Sequence, residues 1–217
     1  MRRALLTHGF ASDAAGTWTD AGWPDLLADI GIEAVTFELP GHGASPLPPD
    51  TPSDEVEQAL LDAAPDADIL IGFSAGAMLS LRAAVARPER VARIVLMGMG
   101  DGMWTSGGFD GLADRLATSE DEHDTLFRTM AHNAGNDIAS IATYLRGIPG
   151  PPPYAQLAVV TAPTLVVLGD RDTLAPADRL LEALPDARLA LLPGVDHVRT
   201  PESSAAMGAV LDFLAEG

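Results

Sequence analysis

Short apolar runs alternate along the chain with longer stretches rich in Ala and Leu. The short runs have the length and content of buried strands, and they lie at Ala4–Leu6, Ala34–Phe37, Ile69–Gly72, Ile94–Gly98, Thr164–Leu168 and Arg188–Leu192. The longer stretches have helical character, and they lie at Trp23–Ile30, Asp54–Ala63, Ala75–Ala86, Ala177–Ala183 and Glu202–Ala215. This alternation predicts an α/β fold with a mostly parallel sheet of about six strands and helices on both faces.

The alternation is interrupted once, between Gly98 and Thr161. The interruption contains no strand pattern, and a Pro-rich connector closes it. Short helices are predicted inside it at Leu112–Ala117, Thr125–Ala131 and Ile138–Leu145. A long insertion without strands is commonly functional. We therefore predict a single domain over residues 1–217 with a small lid insertion at approximately residues 99–158, and a surface decoration is the alternative.

Composition removes several kinds of chemistry. The chain has 217 residues, of which 47% are hydrophobic, so one domain can bury a substantial core. It contains no Cys, which excludes disulfides, Cys-ligated metals and a cysteine nucleophile. All 13 basic residues are Arg, and without Lys neither Schiff-base chemistry nor a P-loop lysine is available.

The charge balance bears on partners. The 31 acidic residues leave a formal net charge of −18, which repels phosphate backbones and anionic lipid. No apolar run reaches the roughly 18 residues of a membrane helix, and His8-Gly9 interrupts the one signal-like start. We therefore expect a cytoplasmic protein that acts on a small molecule, with neither nucleic acid nor membrane as a partner. The sequence leaves the oligomeric state open.

A G-x-S-x-G motif carries the strongest chemical signal. The segment Gly72-Phe73-Ser74-Ala75-Gly76 follows a buried-type strand and runs directly into a helix. This context is that of a nucleophile elbow, in which a sharp turn lifts the serine hydroxyl above the sheet edge. The two glycines leave room where strand and helix pass closely. We interpret Ser74 as a nucleophile, and a helix N-cap is the alternative.

A serine nucleophile needs a base, and five histidines are available. His197 follows the last strand, and the loops at the carboxyl ends of parallel strands line the active crevice, so we predict that it is the base. His8 lies in a loop that suits an oxyanion role. His42 lies in a tight turn that favours a structural hydrogen bond. His123 and His132 fall in the insertion, where we expect solvated or lid residues.

An acidic group must hold the imidazole in the right tautomer. Asp170 and Asp172 both lie on the loop after the strand Thr164–Leu168, and spacing alone does not choose between them. Turn formation or helix capping is the alternative for both. Asp196 is near as well, but a residue adjacent to the base in sequence rarely reaches its ring correctly.

Acyl transfer also requires donors for the oxyanion. The backbone N–H of Ala75 is one candidate, because Ala75 begins the helix after the nucleophile. The backbone N–H of Phe10, which follows the first strand, is the second.

These motifs together resemble the α/β-hydrolase fold superfamily over nearly the full length of the chain. His8-Gly9-Phe10 is similar to the family's oxyanion loop, and Gly72–Gly76 is similar to its nucleophile elbow. Gly194-Val195-Asp196-His197 resembles its catalytic-histidine segment. Glu38–Ser45 resembles its D-x-x-G-H-G-x-S loop, with Glu38 where Asp is usual.

The resemblance also bears on the acid and on the extent of the fold. Ala162–Asp172 is similar to a P-t-L-v-v-x-G-x-x-D segment whose last Asp is the triad acid, so the resemblance implies Asp172 rather than Asp170. The chain begins at what the family would have as its third strand, so we expect its first hairpin to be absent. The insertion is short for a cap domain, which suggests an accessible site. The resemblance implies neither a cofactor nor a metal.

The combined interpretation is a serine hydrolase with the triad Ser74, Asp172 and His197. It would cleave a small carboxylic ester, lactone or thioester through an acyl-enzyme at Ser74. Ser74 at the elbow sets the chain apart from haloalkane dehalogenases and epoxide hydrolases, which have Asp there.

Two alternatives remain open. The same fold and triad resemble those of cofactor-free C–C bond lyases or hydrolases, which usually keep anion-binding residues near the site, here Arg171, Arg128 or Arg146. A ligand-binding member with a dormant triad is the other alternative.

An apolar acyl pocket beneath the lid is predicted, and lid packing is the alternative. It would favour medium acyl or aromatic groups. Its candidate residues are Met99, Met103, Trp104, Phe109, Met130 and Tyr144.

Overall fold

The computed structural model describes residues 2–105, 111–116 and 118–216. Within this part, six strands form one sheet: β1 (Arg2–Thr7), β2 (Ile32–Phe37), β3 (Ile69–Phe73), β4 (Arg93–Met97), β5 (Thr164–Gly169) and β6 (Ala187–Leu192). The helices outside the insertion are α1 (Trp23–Asp29), α2 (Ser53–Ala63), α3 (Ala75–Ala86), α8 (Asp178–Ala183) and α9 (Ser204–Ala215). The predicted strands are confirmed, with bounds that agree to within two residues.

The sheet is parallel throughout, in the order β2-β1-β3-β4-β5-β6. Thr7 at the end of β1 pairs with Phe37 of β2 and with Gly72 of β3, so these strands finish at the same edge. The connections after β1 and β3 leave in opposite directions, which opens a crevice between them. The loop that follows Thr7 and the turn that follows Phe73 therefore border one site.

Helices cover both faces of the sheet, as predicted. On one face the apolar side chains pack with α1 and α9, around Trp18, Trp23 and Phe213. On the other face they pack with α2, α3 and α8, around Leu60 and Leu81. Within the described ranges, none of the helices combines the length and the apolar content that a membrane span requires.

The two edge strands are less buried than their apolar sequences suggest. Burial on both sides holds for β3 and β5, every residue of which is buried. The prediction of a buried strand is wrong for β6, where Leu189 and Leu191 are exposed. The reason is position, because an edge strand is flanked by a neighbour on one side only.

The insertion forms four α-helices in its described part: α4 (Gly102–Thr105), α5 (Leu112–Arg115), α6 (Glu122–Asn133) and α7 (Ile138–Gly147). Three of them lie where helices were predicted, and α4 was not anticipated. Leu116, Ala131 and Ile141 belong to the same apolar cluster as Leu81 of α3. The insertion therefore shares its core with one face of the sheet, and its function as a lid stays a prediction.

Candidate active site

Ser74 lies at the turn between β3 and α3. Its backbone has φ 53° and ψ −114°, a conformation that a residue with a side chain adopts only under constraint. Close packing supplies the constraint, because a Cβ on Gly72 would lie 2.3 Å from the Gly76 oxygen, and one on Gly76 would lie 2.2 Å from the Thr7 oxygen. The Ser74 amide donates to the Met97 oxygen at 2.9 Å. Sequence and sheet together thus hold Ser74 at the carboxyl edge.

The structure brings His197 and Asp172 to Ser74. His197 Nε2 lies 2.9 Å from Ser74 Oγ, and His197 Nδ1 lies 2.8 Å from Asp172 Oδ2. The Asp172 side chain is fully buried, whereas 24% of the His197 side chain is exposed. Leu174 donates its amide to Asp172 Oδ1 at 2.8 Å, which fixes the carboxylate plane. A carboxylate at Nδ1 leaves Nε2 of the neutral imidazole free to accept the serine proton.

The two other aspartates near the base make different contacts. Asp170 is exposed, and its Oδ1 accepts the Gly194 amide at 2.7 Å. Asp196 Oδ1 accepts the Arg199 amide at 3.0 Å. Both therefore stabilise loops, and Asp172 is the one that contacts the imidazole of His197.

The His197 ring packs against a wall that the sequence did not single out. The Phe73 ring lies 5.1 Å from it, centroid to centroid. A Cβ on Gly98 would lie 3.1 Å from His197 Cε1, so only a residue without a side chain fits comfortably there. Phe73 is the variable position before the serine in G-x-S-x-G, and no motif signal marks it as a support for the base.

The loop after β1 lies against Ser74. A Cβ on Gly9 would lie 3.4 Å from Ser74 Cβ and 2.8 Å from the Phe73 ring, so His8-Gly9-Phe10 passes directly beside the elbow. Ala75 begins α3, and the first amides of a helix have no intrahelical acceptor. The amides of Phe10 and Ala75 thus belong to segments that meet at Ser74, and their role as oxyanion donors stays a prediction.

The other described histidines make contacts with groups other than Ser74 Oγ. His8 is fully buried, and its Nε2 accepts the Leu39 amide at 3.1 Å and lies 2.9 Å from Glu38 Oε2. His42 is buried as well, and the Ala11 amide donates to its Nε2 at 3.1 Å. These contacts agree with the structural hydrogen bond expected of His42. His132 is exposed on α6, as expected of a solvated residue.

The buried ring of His42 predicts a specific pH dependence of stability. Burial, with a smaller contribution from the neighbouring His8, lowers the pKa of His42 from 6.5 to about 3. The unfolded chain binds a proton there below about pH 6.5 and the folded chain does not, so this stability is present above pH 6.5 and is lost as pH falls toward 3. Between pH 7 and pH 5 the wild type should lose about 2 kcal/mol more than His42→Gln. Urea unfolding at both pH values measures this difference, and parallel losses in the two proteins would contradict it.

Five of the six candidate pocket residues lie in the described part of the chain, and all five belong to one apolar cluster or pack against it. Tyr144 borders a shallow surface cleft that also touches Ala75, Met78 and Leu79, and Ser74, Asp172 and His197 are not among the residues that line it. Met99 and Met103 are buried in the core of that face, and Met130 packs against it. The Trp104 ring stacks on Tyr154 at 4.4 Å, and its Nε1 donates to the Pro152 oxygen at 2.9 Å, contacts typical of packing. Phe109 lies outside the described residues.

Two of the three arginines that were candidates for anion binding have partners within the insertion, and the third is exposed. Arg146 pairs with Asp114 at 2.8 Å, and Arg128 donates to the Leu116 oxygen at 3.1 Å, so both link helices of the insertion. Arg171, next to Asp172 in sequence, is exposed. Among the residues that the structure describes, no group of three His, Asp or Glu side chains is arranged to hold a metal ion.

Comparison with known proteins places this chain among the alpha/beta hydrolases. A family model described as the alpha/beta hydrolase family matches residues 4–211. The pimeloyl-[acyl-carrier protein] methyl ester esterase of Nitrosomonas europaea is 27% identical, over 89% of this chain and 87% of the relative. The 2-hydroxy-6-oxononadienedioate/2-hydroxy-6-oxononatrienedioate hydrolase of Escherichia coli K12 is 26% identical, over 97% of this chain and 86% of the relative.

Solved structures agree on the fold. A hydrolase from Pseudomonas aeruginosa PA01 superposes with a TM-score of 0.74 at 24% identity, over 98% of this chain and 89% of that one. The family match extends from β1 to α9 and so contains Ser74, Asp172 and His197.

Proposed function

The chain belongs to the alpha/beta hydrolase family, with an esterase among its curated relatives, and on this premise we propose that it is a serine hydrolase. The proposed reaction is hydrolysis of a small carboxylic ester, lactone or thioester through an acyl-enzyme at Ser74. One observation carries the proposal: Asp172, His197 and Ser74 form a continuous hydrogen-bonded row with separations of 2.8 and 2.9 Å.

Acylation begins with proton transfer from Ser74 to His197. As Ser74 Oγ forms a bond to the carbonyl carbon, His197 Nε2 takes the hydroxyl proton, and the carbonyl π electrons move onto its oxygen. The imidazolium then carries a proton on each nitrogen. The buried carboxylate of Asp172 stabilises that charge without itself becoming protonated.

The negative oxygen requires donors that are already in place. The Ala75 amide stands at the positive end of the α3 dipole, which favours negative charge. The Phe10 amide is the second proposed donor. Two backbone donors that do not have to reorganise stabilise the tetrahedral intermediate more than the ground-state carbonyl.

Release of the product restores the enzyme. The tetrahedral intermediate collapses, the bond to the leaving group breaks, and His197 returns its proton to that group. Water then takes the place of the leaving group, and His197 removes its proton as it attacks the acyl carbon. The acid leaves, and Ser74 regains its proton from His197.

The acyl group is proposed to lie beneath the insertion, on the side of Tyr144. Tyr144 and Ala75 belong to the same apolar cluster, which the insertion shares with one face of the sheet. Met99, Met103 and Met130 would form the apolar layer behind it. The net charge of −18 makes a small and weakly charged substrate the favoured partner.

Cleavage of a C–C bond is the second candidate, and the relative from Escherichia coli K12 favours it. Such chemistry on a dioate would need cationic groups at the substrate. Arg128 and Arg146 are engaged within the insertion, which leaves the exposed Arg171 as the cationic candidate. An ester ranks first because an esterase is among the relatives of this chain. A ligand-binding protein with a dormant triad would bind acyl compounds and release no product.

Turnover of a p-nitrophenyl ester series tests the proposal. The wild type should release p-nitrophenol and acid in equal amounts over many turnovers, with a rate that declines as the acyl chain lengthens. A 2-hydroxy-6-oxo dienoate in parallel assays tests C–C cleavage. Ester turnover no faster than in buffer, with cleavage of the dienoate, would contradict the proposal in favour of the second candidate.

A further inference from the structure

Both proposed oxyanion donors lie next to a strained residue. Among the residues that the structure describes, Ala11 and Ser74 are the two that have a positive φ without being glycine, at 64° and 53°. Ser74 directly precedes Ala75, and Ala11 directly follows Phe10. A side chain makes this conformation unfavourable, so it persists only where the surroundings determine it. For Ser74 the glycine contacts of the elbow do so, and for Ala11 the reason lies elsewhere.

His42 holds the peptide unit that follows Phe10. Its Nδ1 donates to the Pro40 oxygen at 3.0 Å, so the remaining nitrogen of the neutral ring is an acceptor. That nitrogen, Nε2, accepts the Ala11 amide at 3.1 Å. The ring is buried and packs edge-on to Phe10 and Tyr144, with 5.5 Å between centroids in each case.

His8 holds the peptide unit that precedes Phe10. The Leu39 amide donates to its Nε2 at 3.1 Å, and its Nδ1 donates to the Gly9 oxygen at 2.8 Å. The Gly9 carbonyl and the Phe10 N–H belong to the same planar trans peptide unit, in which they point in opposite directions. A bond that fixes the carbonyl therefore fixes the direction of the N–H.

We infer that His8 and His42 are positioning residues that together aim the Phe10 amide at the oxyanion. His8 fixes the Gly9–Phe10 peptide through its carbonyl, and His42 fixes the Phe10–Ala11 peptide through its amide. Neither imidazole touches the substrate. The inference rests on the proposed function, because it assigns the pair to the transition state of the acyl transfer at Ser74.

His8 and His42 use different ring nitrogens to hold the loop, so the replacement that preserves the hydrogen bond differs between the two positions. The side-chain amide of Asn places its polar atoms near the position of imidazole Nδ1, and that of Gln places them near Nε2. Asn at residue 8 keeps the donor to Gly9, and Gln there loses it. Gln at residue 42 keeps the acceptor for Ala11, and Asn there loses it.

Steady-state kinetics on a p-nitrophenyl ester should show this reciprocal pattern. His8→Gln and His42→Asn should lower kcat about 10- to 100-fold with KM within about twofold, because a misaimed donor weakens the transition state alone. His8→Asn and His42→Gln should retain kcat within about threefold. Equal kcat for Asn and Gln at both positions would overturn the inference. Thermal unfolding checks that each variant is folded. If a variant at one position does not fold, the Asn and Gln variants at the other position test the inference.

Amide exchange separates this inference from the proposed function. The Ala11 amide should exchange slowly in the wild type and in His42→Gln, and at least about tenfold faster in His42→Asn. A wild type that hydrolyses no ester would contradict the proposed function, and this exchange pattern would still support the hold of His42 on the loop. Equal exchange rates of the Ala11 amide in all three proteins would show that His42 does not fix this amide, whatever the esterase activity.

Discussion

Ser74→Ala should abolish ester turnover, with kcat lower by about 10⁵-fold or more. The substitution removes the atom that forms the acyl-enzyme and leaves His197 without a proton to accept. Residual catalysis would come from binding and from the oxyanion donors alone. We expect the loss in kcat. A high enzyme concentration, with substrate still in excess, and a long time course allow any residual rate to be measured.

Ser80→Ala is the matched control for this substitution. Ser80 lies on the same helix as the elbow and is fully buried, and its hydroxyl has no hydrogen-bond partner among the described residues. Removing that hydroxyl should leave kcat within about twofold of the wild type. A Ser74→Ala variant that retains a tenth or more of the wild-type kcat would remove Ser74 from the role of nucleophile.

Asp172→Asn should lower kcat by about 10³- to 10⁴-fold. The amide is almost the same size as the carboxylate, so the packing of the buried site is preserved. It is neutral, however, and presents either an N–H or an oxygen to His197 Nδ1. The ring then loses the partner that stabilises its protonated form and that selects the reactive tautomer.

Asp170→Asn distinguishes this effect from a general disturbance of the loop. Asp170 is two residues away, is exposed, and accepts the Gly194 amide through an oxygen that Asn retains. The variant should keep kcat within about threefold. If Asp170→Asn were the inactive variant and Asp172→Asn the active one, the assignment of the acid would be reversed.

Much of the fold, and the grouping of Ser74, Asp172 and His197, could be predicted because most of the signals are local. A strand, a glycine pair and a helix surround Ser74 in sequence, and Gly72 and Gly76 are required by contacts that any such turn makes. His197 follows directly from its position after the last strand. The acid is different, because residue spacing favoured Asp170 and Asp172 equally and the family resemblance was needed to prefer Asp172.

The remaining features depend on contacts between distant segments. His8 and the Leu39 amide belong to loops after neighbouring strands, and the sequence indicates the loops but not where an imidazole points. The Trp104 ring stacks on Tyr154, some fifty positions further along, and no local pattern indicates that contact. The exposure of Leu191 depends on which strand lies at the edge of the sheet, which apolar content does not reveal.

Labelling with a fluorophosphonate probe tests the serine mechanism most directly. Wild type, Ser74→Ala and His197→Ala would be incubated with the probe, and intact mass and peptide mapping would locate any adduct. A nucleophilic Ser74 activated by His197 predicts one adduct on the wild type, at Ser74, with none on Ser74→Ala and far slower labelling of His197→Ala. A folded wild type that stays unlabelled, or an equal adduct on Ser74→Ala, would contradict the mechanism.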